Sequence, residues 1–202
     1  MRFILRLFGW AFAVGTILFV IGVAGAAGVI WHYSKDLPDS AQLRNYEPPV
    51  MSRVHAGDGS LIAEFARERR LYLPIQAVPK LIIDAFLSAE DKNFYKHFGV
   101  DPEGLARAAI SNFRNRGSGR RPQGASTITQ QVAKNFLVGS EQSIERKIRE
   151  ALIALRIEST YSKDKILELY LNEIYLGAPA PGQGSYGIAA AALNYFGKSV
   201  HE

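Results

Sequence analysis

From Leu7 to Trp31 the chain runs for 25 residues without a formally charged side chain, and the run is rich in Phe, Val, Ile, Ala and Gly. A helix of that composition spans the hydrocarbon core of a bilayer, which takes about 20 residues. Arg2 and Arg6 precede the run, whereas Lys35, Asp36 and Asp39 follow it. The positive-inside rule therefore places residues 1–6 in the cytoplasm and everything after the span outside the plasma membrane. Trp10 and Trp31 lie near the two ends, where interfacial aromatics sit. A cleaved signal peptide is the competing reading, because Ala24-Gly25-Ala26 resembles a small-residue cleavage site. The apolar run continues past that site, which favours a transmembrane anchor over residues 7–31. Both readings export the rest of the chain.

The remainder can bury a core, since 48% of the 202 residues are apolar. No cysteine is present, which excludes disulfides, thiol nucleophiles and thiolate metal sites. The net charge of +5 is concentrated in Arg114, Arg116, Arg120, Arg121, Lys134, Arg146, Lys147 and Arg149, a distribution that suits an anionic partner. Nucleic acid is not that partner. Only Phe113 stands beside the arginines of the basic loop, no nucleic-acid motif is present, and an exported domain does not meet nucleic acid.

Residues 32–50 are polar and proline-bearing, as expected of a juxtamembrane linker. Over 51–75, Asp58-Gly59 separates Val54 from alternating Leu61, Ala63 and Phe65, which predicts a short β-hairpin, and Arg70–Pro74 offers a third short strand. From residue 76 to 202 the period is helical. Pro79 opens a helix with Leu81, Ala85 and Ser88 or Ala89 on one face, and Asp101-Pro102-Glu103 starts another with Leu105, Ala108, Ala109 and Phe113 inward. Ile144, Ile148, Leu152 and Leu155 form the expected core stripe of a later helix. Ser162 caps a helix that stops at Gly177, and the apolar stretch Gly187–Gly197 predicts a deeply buried helix. No internal repeat is present.

Several of these elements carry candidate chemistry. Glu90 ends an apolar helix and is followed by Phe94, Tyr95, His97 and Phe98, a setting that can desolvate a carboxylate and tune it for proton transfer. An acidic residue near a helix end is equally compatible with a solvated surface. In the helix beginning at Ser126, residues Thr127, Gln131 and Lys134 fall at i, i+4 and i+7, aligning a hydroxyl, an amide and an ammonium. That stripe suits an anionic or sugar ligand, and it also suits an ordinary solvated face. Arg146 with Glu150, and Glu145 with Arg149, have the spacing of surface ion pairs. His97 and Asp101 share i, i+4 spacing, but Gly99 and Pro102 disfavour a helix that would make them a metal pair. Ser162-x-x-Lys165 fits an acyl-serine motif without the K-T-G or S-D-N that should follow it.

Taken together, the segments "AEDKNFYKHFGVD", "GASTITQQVAKN", "RKIREALIALRIE", "KDKILELYLNEIYLG" and "GSYGIAAAALNYFGK" resemble, in order, the blocks of the peptidoglycan glycosyltransferases. These occur as monofunctional transglycosylases and as the N-terminal domain of class A penicillin-binding proteins. The upstream stretch from Lys35 to Phe65 resembles the entry to a bifunctional class A protein. The resemblance implies a mainly α, lysozyme-like domain that polymerises lipid II, with the growing glycan strand as donor. It implies Glu90 as the general base on the acceptor 4-hydroxyl. Glu150 is implied as the second glutamate, assisting departure of the diphosphate, with a divalent cation, Mg or Mn, as a candidate cofactor. Asp91, Phe94, His97, Ser126, Thr127, Gln131, Lys134 and Arg146 are implied to line the substrate cleft, with Lys134 and Arg146 near Glu90. Membrane lipids and other cell wall synthesis proteins are the implied further partners. A lytic muramidase and a non-catalytic peptidoglycan-binding module are the rivals. The sequence stops inside the fifth block, so the glycosyltransferase domain is expected to be incomplete at its C-terminus, with a transpeptidase domain expected downstream in the parent chain.

Overall fold

The computed structural model describes residues 2–35, 37, 52–65, 69–120, 122–136, 143–179 and 184–202. The first helix, α1 (Arg2–Ser34), contains the apolar run and continues past Trp31 into the expected linker. Its segment Phe8–Ser34 is, among the described residues, the one helix long and apolar enough to cross a membrane. Large side chains such as Phe12, Phe19 and Ile21 are exposed along it, as a lipid-facing helix requires. It fits a membrane anchor. Leu37, just beyond, is buried in the core of the following domain, and most of the expected linker lies outside the described residues.

The hairpin forms where the Asp58-Gly59 turn predicts it. Strands β1 (Ser52–His55) and β2 (Leu61–Phe65) pair antiparallel with Ser52 opposite Phe65. Asp58 Oδ1 accepts the Ser60 N–H at 2.9 Å, and Gly59 takes a φ of 84°, which closes the turn. The expected third strand is shorter and earlier. It is β3 (Arg69–Arg70), and it pairs in parallel with the distant β4 (Ser185–Tyr186).

The next residues turn to side chains for their backbone partners. Leu73 exchanges two hydrogen bonds with the Asn172 amide at 2.7 and 2.8 Å, and Ile75 N–H donates to Glu168 Oε2 at 2.9 Å. Those acceptors satisfy amides that a strand ladder would otherwise have to meet.

The body is mostly helical. After a 3-10 turn (Ile75–Ala77) come α2 (Lys80–Glu90), α3 (Pro102–Arg114), the short α4 (Ile128–Ala133), α5 (Ile144–Thr160), α6 (Lys163–Glu173) and α7 (Ile188–Phe196). Helix α4 is at the centre and packs on both α5 and α6. Ile128, Val132, Ile153, Ile157, Ile166, Leu167 and Leu171 are fully buried around it, each contributing about 1.5–3 kcal/mol by leaving water. Asp101 and Ser162 cap α3 and α6 as expected, accepting N–H groups of Glu103 and Lys165. Helix α6 ends at Glu173, ahead of the expected stop at Gly177.

Four helical faces depart from the expected ones. In α2, Leu81 is 81% exposed, and Ile82, Ile83, Phe86 and Leu87 pack inward. In α3 only Ala108 is buried, leaving Leu105 and Phe113 in solvent. In α5 the inward face is Glu150, Ile153, Ala154, Ile157 and Glu158, while Ile144 is 82% exposed. In α7, Ile188, Ala190 and Ala191 are buried, but Leu193, Tyr195 and Phe196 are exposed. The α5 discrepancy has a plain cause: two glutamates face inward with cations to pair them. Glu158 accepts from Thr129 at 2.6 Å and from Lys163 at 2.7 Å.

Glu168 is a further buried glutamate. It accepts from the Tyr72 hydroxyl, from Ile75 N–H and from Lys165 Nζ, the last at 2.5 Å. Burial pushes its carboxyl up, but the bonds from Lys165, Tyr72 and Ile75 outweigh burial and leave it below the usual range. A carboxyl lowered in the folded state stabilises the fold above its unfolded-state value, and that contribution is lost as pH falls through the lowered value. Glu168→Gln is expected to cost about 1–3 kcal/mol at neutral pH, as for a buried network that loses its charge-assisted bonds. In denaturant unfolding followed over pH, the variant should also lose part of the parent's acid-side decline in stability.

Candidate active site

The site is organised by a reversal of the chain at the end of α2. Asp91 follows the last helical residue with φ −154° and ψ 74°, so Glu90 and Asp91 diverge. Asp91 turns inward and is 5% exposed. Both its oxygens lie 3.0 Å from His97 Nε2, and Oδ2 also accepts the Ile128 N–H at 3.0 Å, the first amide of α4. Phe94, 1% exposed, sets its ring edgewise to those of Tyr95 and His97. His97 is thus paired with Asp91 and not with Asp101, which instead caps α3.

Thr127 is the N-cap of α4 rather than a member of it. Its hydroxyl donates to Gly99 O at 2.6 Å and accepts the Gln130 N–H at 3.1 Å, while Gln130 Oε1 accepts the Thr127 N–H at 3.0 Å. This capping box satisfies two helix-end donors reciprocally. The three residues of the expected stripe keep helical register, since Gln131 N–H bonds Thr127 O at 3.0 Å and Lys134 N–H bonds Gln130 O. Thr127 is buried ahead of the helix, and Lys134 opens a 3-10 turn (Lys134–Phe136) and is exposed. Helix α4 itself has only six residues, with Thr127 and Lys134 as its two caps.

Glu90 goes the other way. It is exposed rather than desolvated, and its Oε2 accepts from Gln131 Nε2 at 2.9 Å. It opens on a polar cleft of about 210 Å³ whose walls include Asp91, Arg107, Gly124, Ser126 and Thr127. Phe94 and His97 stand behind this cleft and support it. The buried Tyr170 hydroxyl has no hydrogen-bond partner among the described residues. Burial, and secondarily the charge of Glu90, hold it well above the ordinary tyrosine value.

The cations gather around the other glutamate. Glu150 is 3% exposed, with Lys147 Nζ 2.6 Å from one oxygen and Arg146 Nε 3.4 Å from the other. Lys147 Nζ also donates to Ser126 Oγ at 3.0 Å, so the cleft wall is joined to Glu150 through one ammonium. The structure thus joins Arg146 to Glu150, the i, i+4 pairing that the sequence offered, and leaves Lys134 exposed. Lys147 and Tyr170 were not singled out as site residues. The i, i+3 spacing of Lys147 and Glu150 was a usable signal for the first, whereas nothing local to Tyr170 pointed to the second. Among the described residues no three His, Asp or Glu side chains converge to hold a metal, and both Glu150 oxygens already face cations. This donor set does not fit a divalent cation held by the protein.

The family model described as Transglycosylase matches residues 58–202. The chain belongs to the transglycosylase family. It is 50% identical over 186 residues to Penicillin-binding protein 1A of Rickettsia felis, covering 92% of this chain and 23% of the relative. It is 49% identical to the Aquifex aeolicus protein of the same name, over 83% of this chain and 22% of that one. With the Vibrio cholerae protein of that name identity is 44% over all 202 residues, again 23% of the relative. The chain spans less than a quarter of the length of these curated relatives. The transglycosylase match begins at the hairpin turn, so it takes in β2 and every helix after α1.

The adjacent carboxylates should separate cleanly on substitution. Asp91→Ala breaks a buried pair and leaves His97 and an α4 amide unpartnered, which is expected to cost about 3–5 kcal/mol of stability. Glu90→Gln, at an exposed position, should stay within about 0.5 kcal/mol of the parent. Denaturant unfolding of the two variants side by side measures the difference.

Proposed function

We propose that this chain supplies the peptidoglycan glycosyltransferase of a class A penicillin-binding protein. It polymerises lipid II into β-1,4-linked glycan strands, with inversion and release of undecaprenyl diphosphate, in bacterial cell wall synthesis. The observation that carries the reading is the division of labour between two glutamates. Glu90, held by a neutral amide, opens on a polar cleft, while Glu150 is buried between Lys147 and Arg146 behind a wall of that cleft.

Glu90 takes the proton of the acceptor's 4-hydroxyl, and the oxygen forms a bond to the donor's anomeric carbon as the bond to the diphosphate oxygen breaks. The electron pair leaves with the diphosphate. Gln131 orients the Glu90 carboxylate. Glu150 holds Lys147 and Arg146 in place, and these cations stabilise the negative charge that grows on the leaving group. A diphosphate needs fixed positive charge more than it needs a strong acid, so Glu150 serves as the cations' counter-charge. Ser126 joins the cleft through Lys147. Asp91, Phe94, His97 and Thr127 act on the substrate through the shape they give the cleft. No step is assigned to a metal.

The helix α1 holds the enzyme where its lipid-borne donor and acceptor reside. The N-terminus is cytoplasmic and the catalytic part lies outside the plasma membrane, by the charge bias around the span. The growing strand, lipid II and membrane lipids are the partners this reading requires, and other cell wall synthesis proteins are its expected associates.

Lipid II supplied to the detergent-solubilised protein that carries this chain, with analysis of the glycan formed, tests the proposal. Glu90→Gln is expected to lower polymerisation by about 10²–10⁴-fold, the usual worth of a positioned general base. Undiminished polymer from that variant would remove Glu90 from the mechanism. Cleavage of existing glycan by the parent, without polymerisation, would favour the lytic reading.

A further inference from the structure

We propose that Arg149 and Arg156 of α5 clamp the outer end of α1 to the helix that carries Glu150, and so fix the height of the catalytic cleft above the membrane for a lipid-borne substrate. The functional half of this statement rests on the lipid II reading above.

The last turn of any α-helix leaves carbonyl groups without intrahelical partners and carries the negative end of the helix dipole. Arg156 meets both needs at the end of α1. One terminal nitrogen donates to Ser34 O and the other to Leu37 O, each at 3.2 Å. The planar fork of a guanidinium suits two fixed acceptors in a way an ammonium does not. Seven residues earlier on the same face of α5, the Arg149 guanidinium stands 6.0 Å from the centre of the Tyr33 ring. Leu37, just past the helix end, is buried in the domain core. Backbone, ring and side chain at the end of α1 are thus all held by the body of the domain.

The position of this contact along α1 gives it a functional meaning. Trp31 is 66% exposed and carries the Lys35 ammonium 3.6 Å from its ring centre, the arrangement of an aromatic and a cation at a membrane interface. Ser34 lies three residues on, about 4.5 Å further along the helix axis. The clamp therefore grips α1 within one turn of the interface. A flexible tether there would let the cleft ride at varying heights over a diphosphate that stays at headgroup level. Two arginines on α5 remove that freedom, and the same helix carries the buried Glu150 with Arg146 and Lys147 paired to it.

Arg149 and Arg156 are positioning residues on this account, so their removal should matter only when the substrate is confined to a bilayer. The test compares the protein carrying this chain with its Arg149→Ala/Arg156→Ala double variant on two substrates: lipid II in phospholipid vesicles containing the reconstituted enzyme, and a water-soluble short-chain analogue. The expected result is a fall in kcat/KM of about tenfold or more in vesicles, since small misplacements of reacting groups cost that much. Turnover of the soluble analogue should stay within about twofold of the parent, and Arg156→Lys should fall between parent and double variant in vesicles. Equal loss on both substrates, as a merely structural role predicts, overturns the proposal, and so does undiminished activity on both. If the parent polymerises neither substrate, the lipid II reading is what fails. The clamp is then judged by spin-label distances between α1 and α6, where a narrow distribution that broadens in the double variant supports it and identical distributions overturn it.

Discussion

The buried carboxylate of Asp91 is the contact on which the rest of the site depends. A single side chain accepts from the His97 ring and from the first amide of α4, tying together the end of α2, the loop behind it and the central helix. The loop is held a second time at Gly99, whose carbonyl takes the Thr127 hydroxyl. Gly99 has φ 79°, and a Cβ there would stand 3.0 Å from the Ala154 carbonyl group on α5. No other residue type fits that conformation and that approach together. The close contact of loop, α4 and α5 brings the cleft residues Glu90 and Ser126 into register with Lys147 and Glu150.

That arrangement separates two kinds of acid. Glu158 and Glu168, like Glu150, are buried because lysines and hydroxyls reach them, and they act as internal counter-charges. Burying a carboxylate without such partners would be far too costly. Glu90 instead stands at the cleft surface with one amide for company. Proton transfer needs a carboxylate that substrate can reach, and cation placement needs one that substrate cannot neutralise. The fold provides one of each.

Much of this was legible in the residues. The apolar span, the hairpin at Asp58-Gly59, the caps at Asp101 and Ser162, and the family blocks all act through neighbours in sequence, and all appear where expected. The inward faces of α2, α3 and α5 were misjudged because their partners are remote. A pattern that treats Glu as solvent-facing turns α5 by one position when Glu150 and Glu158 point inward. Helical spacing did not show that Thr127 would spend its hydroxyl as the N-cap, or that the six-residue helix would pass into a 3-10 turn at Lys134. Crowded aromatics after Glu90 suggested a shielded base, whereas Phe94 shields Asp91 and His97. Only tertiary contact could show which of two adjacent acids turns inward.

The central claim is that Glu90 receives the acceptor's proton while Lys147 and Arg146, held by Glu150, receive the diphosphate's charge. A structure of the protein with unreactive donor and acceptor analogues of lipid II bound tests this most directly. The account predicts the acceptor 4-hydroxyl within about 2.6–3.2 Å of a Glu90 oxygen and the donor diphosphate on the side of Lys147 and Arg146. A 4-hydroxyl placed against another carboxylate, or a diphosphate bound away from those two cations, would contradict it.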